Sequence, residues 1–376
     1  MERPMQILIT TRLDDMHAEA VAMALEQRGH RVSLVHGADF PQRQCATLAF
    51  DSHELPGEQY GALLPDIDPT AVDVVWNRRR EWPQLPPSLH ADDREFARRE
   101  NHVFADALWR LSGRAAFWVN PESGARAAEL KPLQLRQALH VGLTVPETLV
   151  SNDPQRIRAF VDRNAGHCIY KPLTHGDWQE PDSARVLFAA SVDTTTLPDD
   201  ATLQACPGIF QRRVGKRFEV RATFMGAHCM ALRLDSQSTE SGRLDWRQAQ
   251  GSETIPAQPI TLPDAVRARC RALMDRLDLV FGCFDFIVTE QDEWVFLEVN
   301  QMGQFLFLET WCPELAVLDA FCAFLLSRDP DFTYVQPRNP VRFVELAGSG
   351  DLKRRLANGH ERHMPAIKAT AVASIV

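Results

Sequence analysis

The alternation of apolar and polar positions divides the chain into three patterned stretches and an end of different composition. QILIT near the amino terminus reads as a short strand. DDMHAEAVAMALEQRG follows with apolar residues at helical spacing and stops at Gly29, and HRVSLVHG reads as a second strand. AVDVVWN adds a strand, DREFARRENHVFADALWRLSG a long helix, and AAFWVNP a strand ended by a proline. This β-α-β opening predicts a small parallel, doubly wound-like domain over residues 1–120. From 121 to 205 the pattern runs helix (AAELKPLQLRQALHVG), strand (ETLV), helix (DPQRIRAFVDRN), strand (HCIYKPL), turn and strand (ARVLFAA), a central α/β subdomain. From 206 to 335 strands dominate: GIFQRRV, RFEVRATFMG, AHCMALRLD, GCFDFIV and WVFLEVN, with the helix DAVRARCRALMDRLD among them. A mixed or antiparallel sheet is expected there, so the chain is α/β overall and α+β in its carboxy-terminal part. Residues 336–376, rich in Arg, Gly and Pro, read as a linker and a basic tail with at most one short helix.

Two further stretches stand out by pattern. LAVLDAFCAFLLS is the most apolar run, but it is too short to span a bilayer and carries Asp319, so it reads as a buried helix. The polar stretch from Asp235 to Pro263 is long for a loop in a compact domain, and such loops tend to be functional.

Composition narrows the class. A length of 376 residues implies two or three domains, and 45% hydrophobic with 24% charged residues is the make-up of a soluble globular protein. A net charge of −9 argues against general nucleic-acid or anionic-membrane binding. The start, MERPMQILITTRL, lacks a basic segment followed by a signal-type apolar core, and eight cysteines without a CxxC pair read as free thiols of a cytoplasmic protein. No GxGxxG sits at the first strand-to-helix turn, which excludes a dinucleotide fingerprint.

The candidate chemistry lies in two late strands. CFDFIV carries Asp285 between phenylalanines, and FLEVNQMGQ carries Glu298 and Asn300 in an apolar run. If the strands form a hairpin with a tight turn at Gln291-Asp292, Glu290 faces Glu293 and, in the same register, Asp285 faces Glu298. Opposed residues have Cβ atoms roughly 5 Å apart, and Asn300, two residues on, shares the face of Glu298. Two carboxylates so placed are either solvated or arginine-paired at a sheet edge, or they hold a cation between them. A site built from oxygen donors suits Mg²⁺, which keeps few protein ligands and bridges nucleotide phosphates. Candidate cations precede it: Lys131 at a helix start, Lys171 at a strand end, and Arg221 in mid-strand two residues after Glu219, with Arg233 on the neighbouring strand. Arg221 has two readings, an internal pair with Glu219 or an aspartate, or a contact to phosphate.

The ordered set Lys131, Lys171, FQRRVGKRFEVR, FDFIV and FLEVNQ resembles the ATP-grasp ligases. The segments VVWNRRREWP, FWVNP, AELKPLQLRQALHVGLTVPETLVSNDP, YKPL, LDSQ, DWR and FLEVNQMGQFLFLE are similar to the microviridin-type (graspetide) peptide macrocyclases in particular. The resemblance implies ATP and Mg²⁺ as cofactors. Lys131 and Lys171 would contact phosphates, and Gln211, Arg212 and Val214 would lie in a hinge whose backbone meets adenine. Glu219 would lie near the ribose or the metal, Arg221 at the reacting phosphates, and Asp285, Glu298 and Asn300 on Mg²⁺. Lys171, Arg221 and Arg233 would serve catalysis, with Arg233, Asp245, Arg247 and Gln304 toward the substrate and Glu309 facing the same way. The implied reaction joins a core Asp or Glu side chain of a ribosomally made precursor peptide to a hydroxyl or amine through an acyl phosphate, with the Asp235–Pro263 stretch and the nearby helix as candidate docks for its leader. Such folds often pair, so a homodimer is a candidate assembly; no nucleic acid or membrane is implied. Alternatives within the same resemblance are a ligase for small amino acids or amines and a non-catalytic peptide-binding relative. The sequence departs from the family in lacking a Gly-rich phosphate loop: after Lys171 only Gly176 occurs, and the flexible loop is placed at His175–Trp178.

Overall fold

The computed structural model of the chain describes residues 3–48, 71–111, 113–174, 176–180, 183–187, 189–244, 246–249, 255–365 and 369–371. Strands β1 (Gln6–Thr11), β2 (Arg31–His36), β3 (Val74–Asn77) and β4 (Phe117–Val119) form a parallel sheet in the order β2-β1-β3-β4. Ile7, Leu8 and Ile9 are all buried, the mark of a parallel strand covered on both faces. Helix α1 (Met16–Gln27) begins at Asp15, whose carboxylate accepts from His17 N at 3.2 Å, and gives way at Gly29, which takes a φ of +82°. Helix α2 (Ala91–Leu111) connects β3 to β4.

Two helices follow, α3 (Glu122–Glu129) and α4 (Lys131–His140), where the sequence pattern predicts one. Pro132 has no N–H to donate to the carbonyl four residues back, so the helix breaks at Leu130 and Lys131 becomes the first residue of a new one. The freed Ala128 carbonyl is taken by the Gln134 side chain.

The central sheet is antiparallel, with β5 (Thr148–Ser151), β6 (Cys168–Lys171), β9 (Ala190–Val192) and β10 (Gly208–Arg212) in the order β5-β10-β6-β9. Its core is shared with α5 (Pro154–Arg163) and α6 (Asp200–Ala205) through Ile157, Phe160, Val161 and Leu203. β10 therefore belongs to this sheet, beyond the boundary expected at 205. The hairpin β7 (Gly176–Glu180) and β8 (Ser183–Leu187) lies between β6 and β9 in sequence, and β16 (Ala369–Ala371) pairs with β8 in parallel. The segment expected to be a flexible loop thus enters β7, while His175 lies outside the described residues.

The third sheet, antiparallel, runs β13 (Ala257–Pro259), β12 (His228–Leu234), β11 (Phe218–Met225), β14 (Phe281–Val288), β15 (Trp294–Asn300). Alternation gives it two unlike faces. Val220, Ala222, Phe284, Phe286 and Phe296 pack with α7 (Asp264–Arg276) and α4 in one apolar cluster. The other face carries Glu219, Arg221, Thr223, Asp285 and Glu298. The described parts of the polar stretch after Asp235 form short 3₁₀ turns and β13, and Trp246 and Ile255 in them are buried, so these parts pack on this second face.

Among the described residues four helices follow β15: α8 (Phe307–Trp311), α9 (Val317–Ser327), α10 (Phe343–Gly348) and α11 (Asp351–Arg362). α9 is the buried helix expected from its apolar run, with Asp319 satisfied by Arg28, Tyr334 and Val341 N at 2.6, 2.7 and 2.8 Å. The segment read as a basic tail is two helices docked on α1. Phe343, Leu346 and Leu352 are buried, and Arg355 bonds Glu19 at 2.8 Å and Glu26 at 2.5 Å. Among the described residues no helix is long and apolar enough to cross a membrane.

The loop after β15 is held by the amino-terminal domain. Arg78, fully buried, reaches the carbonyls of Met302 and Gly303 and pairs with Asp15 at 3.3 Å. Burial and then the nearby Arg78 keep His17 neutral, so its Nε2 accepts from Phe305 N and Leu306 N at 3.0 and 3.1 Å. Asn120, with no exposed surface, donates to the carbonyls of Phe281 and Gln301 at 2.9 and 2.8 Å and accepts from Val280 N and Phe281 N at 2.9 and 2.8 Å. Asn120→Ala leaves those backbone groups buried without partners and should cost about 3 kcal/mol of stability in urea unfolding; a cost under about 1 kcal/mol would mean that the loop does not depend on it.

Candidate active site

The β14–β15 hairpin opposes Asp285 and Glu298, by a route the sequence reading does not foresee. The turn has three residues, Glu290 to Asp292, closed by Thr289 N donating to Glu293 O at 3.0 Å, with Asp292 at a φ of +61°. In that register Phe286 pairs with Phe296. A bulge then leaves Leu297 without a partner and restores the pairing of Asp285 with Glu298. The bulge also reverses the parity of β15. Phe296 faces the apolar cluster, whereas Glu298, two residues later, faces the polar side with Asp285. On its outer edge Gln134 of α4 both donates to Val299 O (2.9 Å) and accepts from Val299 N (3.0 Å), taking the place of a further strand.

Cations surround this pair. Arg221, opposite Asp285 on β11, donates to it at 2.9 Å and to Gln304 O at 3.0 Å, and is buried. One terminal nitrogen of Arg247, from the 3₁₀ turn Trp246–Ala249, lies 2.5 Å from both Asp285 and Glu298. Asn300 donates to Glu298 at 3.2 Å and sits 3.5 Å from Asp285. Burial pushes the Glu298 carboxyl up, but Arg247, then Lys131 and Lys171, outweigh it and hold it well below the usual carboxylate range. Close approach of the loop requires Gly303: a Cβ there would lie 2.7 Å from the Arg221 guanidinium and 2.6 Å from the Cys283 Cβ.

A scan against protein-family models finds no match, and a search of curated proteins finds none. Solved structures do match. The macrocyclase MdnC of Microcystis aeruginosa MRC, bound with precursor peptide MdnA, is 26% identical, with a TM-score of 0.72 over 86% of this chain and 100% of its own. The macrocyclase MdnB of the same organism is 29% identical, with a TM-score of 0.71 over 86% and 99%. An ATP-grasp ligase of Chryseobacterium gregarium, in complex with ADP and a leader and core peptide, is 23% identical, with a TM-score of 0.74 over 90% and 99%. The chain has the ATP-grasp fold. The resemblance read from the sequence to peptide macrocyclases of this fold holds.

Around this carboxylate pair the other residues singled out by sequence fall into two groups. Lys131, Lys171 and Gln211 come together: Lys131 Nζ donates to Pro172 O at 3.1 Å, Lys171 Nζ to the Gln211 side chain at 3.1 Å, and Gln211 to Thr148 at 2.9 Å. Glu219 is buried against Lys216 at 2.7 Å, and Lys216 also donates to Leu244 O at 3.2 Å, fastening the turn that carries Arg247. Arg212 is exposed and bonds Glu147 O through its backbone at 2.9 Å, and Val214 is half-buried between the two sheets' strands in sequence.

Arg233 is not brought to the site. It pairs with Val220, so alternation puts it on the opposite face from Arg221, bound to Asp235 at 2.8 Å and 4.3 Å over the Phe218 ring. Gln304 meets Arg221 through its carbonyl, with its side chain exposed. Glu309 does not face a substrate: it is fully buried and accepts from Leu318 N and Phe343 N at 3.0 and 2.6 Å, capping α9 and α10. Asp245 lies outside the described residues. Arg247 sits directly on the two carboxylates, closer to them than the substrate-side role implied. Lys216, Gln134, Asn120, Arg78 and His17 were not singled out by sequence. Lys216, three residues before Glu219 and bounded by Gly215, carries the only weak signal.

The donors fit a hard divalent cation. They are oxygens only, and the Arg247 nitrogen marks a point where one cation reaches both carboxylates. Among the described residues no three His, Cys, Asp or Glu side chains gather, so Asn300, water and phosphate oxygens would complete the shell. The depressed Glu298 carboxyl has a sign. Held below its ordinary 4.5, it adds stability present above about pH 4.5 and lost as pH falls below it. Glu298→Gln should therefore differ from the parent in unfolding free energy at neutral pH, and the difference should begin to shrink only below about pH 4.5 and go on shrinking as pH falls toward the depressed folded value; a difference independent of pH would contradict the charge network.

Proposed function

We propose that the chain is an ATP-dependent, ADP-forming ligase that joins side chains of a ribosomally made precursor peptide, using Mg²⁺. The observation that carries the reading is the Asp285–Glu298 pair ringed by Arg221, Arg247, Lys131 and Lys171, in a fold whose relatives at 26% and 29% identity are macrocyclases, one bound with its precursor peptide.

Catalysis here is positioning and charge neutralisation. Asp285, Glu298 and Asn300 would hold Mg²⁺, which when bound neutralises and orients phosphate oxygens. Lys131 and Lys171 hold the phosphates from the central-domain side, with Gln211 fixing the Lys171 ammonium. The backbone from Gln211 to Val214, between β10 and β11, meets the adenine. Arg221, oriented by Asp285 and the Gln304 carbonyl, takes the charge that grows on the γ-phosphoryl as it passes to a carboxylate oxygen of the peptide. ADP departs, a hydroxyl or amine of the same peptide attacks the acyl carbon, and phosphate leaves, so each bond removes one water from the peptide. A cation held by the two carboxylates would take the place of the Arg247 guanidinium, which would then be available to the acyl phosphate. No enzyme nucleophile takes part.

Incubation with ATP, Mg²⁺ and a precursor peptide encoded beside the gene should give peptide lighter by one water per bond, read by mass spectrometry. ADP formed only on free amino acids, with peptide mass unchanged, would instead support a small-molecule ligase. Glu298→Gln should lower turnover at least ~100-fold while leaving peptide binding nearly intact; loss of both together would make Glu298 a structural residue.

A further inference from the structure

A cavity of about 230 Å³ lies in the amino-terminal domain, away from Asp285 and Glu298. Its lining includes Thr10 at the end of β1, Val35 and Gly37 at the end of β2, and Glu81 after β3. The chain leaves β1 through α1 to β2 on one side and places β3 on the other, so the carboxyl ends of β1 and β3 diverge. In open parallel sheets that crevice is where ligands bind. The walls are mostly apolar, with Phe40, Phe104, Leu108 and Trp109 among them. An apolar cavity of about 150 Å³ takes up benzene, so this one has room for a ring and a short chain.

One acidic group breaks the apolar lining. Glu81 is half-buried, and burial pushes its carboxyl up to about 7. The charged groups facing it are Arg12 after β1, Asp39 after β2 and His363 beyond α11. Arg12 and His363 offset the rise only in part, and neither is ion-paired to Glu81: His363 is bonded to Asp39 at 2.7 Å, and Arg80, which also lines the cavity, is committed to Asp106 and Glu122 at 2.7 and 3.2 Å. Among the described residues no ion pair is made by Glu81 itself. A half-buried carboxylate that makes no ion pair of its own, at the edge of an apolar cavity, is complementary to a cation on an apolar body.

We propose that this cavity binds an ammonium group carried on an aromatic or branched aliphatic body, with Glu81 as the counter-ion and the apolar walls around the body. The same chemistry occurs in a free arylalkylamine and in the free amino terminus of a peptide that begins with an apolar residue. Binding would be linked to pH: the ammonium needs the ionised carboxylate, so affinity should rise on the order of tenfold from pH 6 to pH 8.

The test titrates the full chain with phenethylamine, with phenylalanyl-glycinamide and with its N-acetyl form, by ligand-observed NMR and calorimetry at both pH values. Phenethylamine should bind, and the acetylated peptide should not. Binding of the unacetylated dipeptide in addition would point to peptide termini, and its failure to bind to free amines. Glu81→Gln should weaken the amine at least tenfold at pH 8 and abolish the pH dependence. This variant removes a carboxyl that the fold holds at a raised pKa, so it should be at least as stable as the parent at pH 8. Ala105→Trp, which fills the cavity from α2, should abolish binding at both pH values. No binding of phenethylamine, equal binding by Glu81→Gln, or a pH dependence that survives in that variant would each overturn the proposal. Because nothing in this test involves ATP or peptide crosslinking, its failure is separable from failure of the ligase reading.

Discussion

Everything around the site answers to one constraint: Asp285 and Glu298 face each other on a largely buried sheet surface, where two negative charges cannot stand without cations. Arg221 and Arg247 supply them. Removing one member of such a buried network costs about 3–5 kcal/mol, because the partner is left charged and unpaired. Arg221 fits because Gly303 offers no Cβ, and its second donor then ties down the Gln304 carbonyl. The same charges that keep the pair tolerable hold the Glu298 carboxyl low and leave the two side chains convergent. That is the state required of ligands for a hard cation.

The constraint reaches into the amino-terminal domain through the loop that follows β15. Arg78, His17 and Asn120 each bind its backbone, so the domain with the parallel sheet fixes a loop that in turn contacts Arg221. Gln134 does the same on the outer edge of β15, and it lies on the helix that Lys131 begins. One short helix thereby sets both a cation of the site and the strand that carries Glu298. The carboxy-terminal helices close the arrangement from behind, with Glu309 buried as the cap for two of them.

Much of this could be read from sequence where periodicity and chemistry agree. Alternation placed Arg221 with Glu219 and Asn300 with Glu298, and the apolar run around Asp319 read correctly as a buried helix. The opposition of Asp285 and Glu298 came out of a turn that is one residue too short and a bulge that went unseen, two departures that cancel. A bulge leaves no mark in a hydrophobic pattern until parity is counted across it: Phe296 and Glu298 cannot share a face that is apolar at one and charged at the other. Arg233 was misjudged for want of the same count, since its partner Val220 faces away from Arg221. The carboxy-terminal helices were hidden because docking rests on few apolar residues, chiefly Phe343, Leu346 and Leu352, among many arginines. The backbone-binding roles of Asn120, Gln134 and His17 join residues 160 or more positions apart, and no local pattern encodes them.

The central claim is that Asp285 and Glu298 form a cation site which Arg247 otherwise fills. Mn²⁺ bound in the presence of ADP, counted by electron paramagnetic resonance, tests it most directly. The account predicts nucleotide-dependent Mn²⁺ binding by the parent chain, at least ~10-fold weaker in Glu298→Gln and tighter in Arg247→Ala, where the competing guanidinium is gone. Equal Mn²⁺ binding by the parent and Glu298→Gln would contradict it.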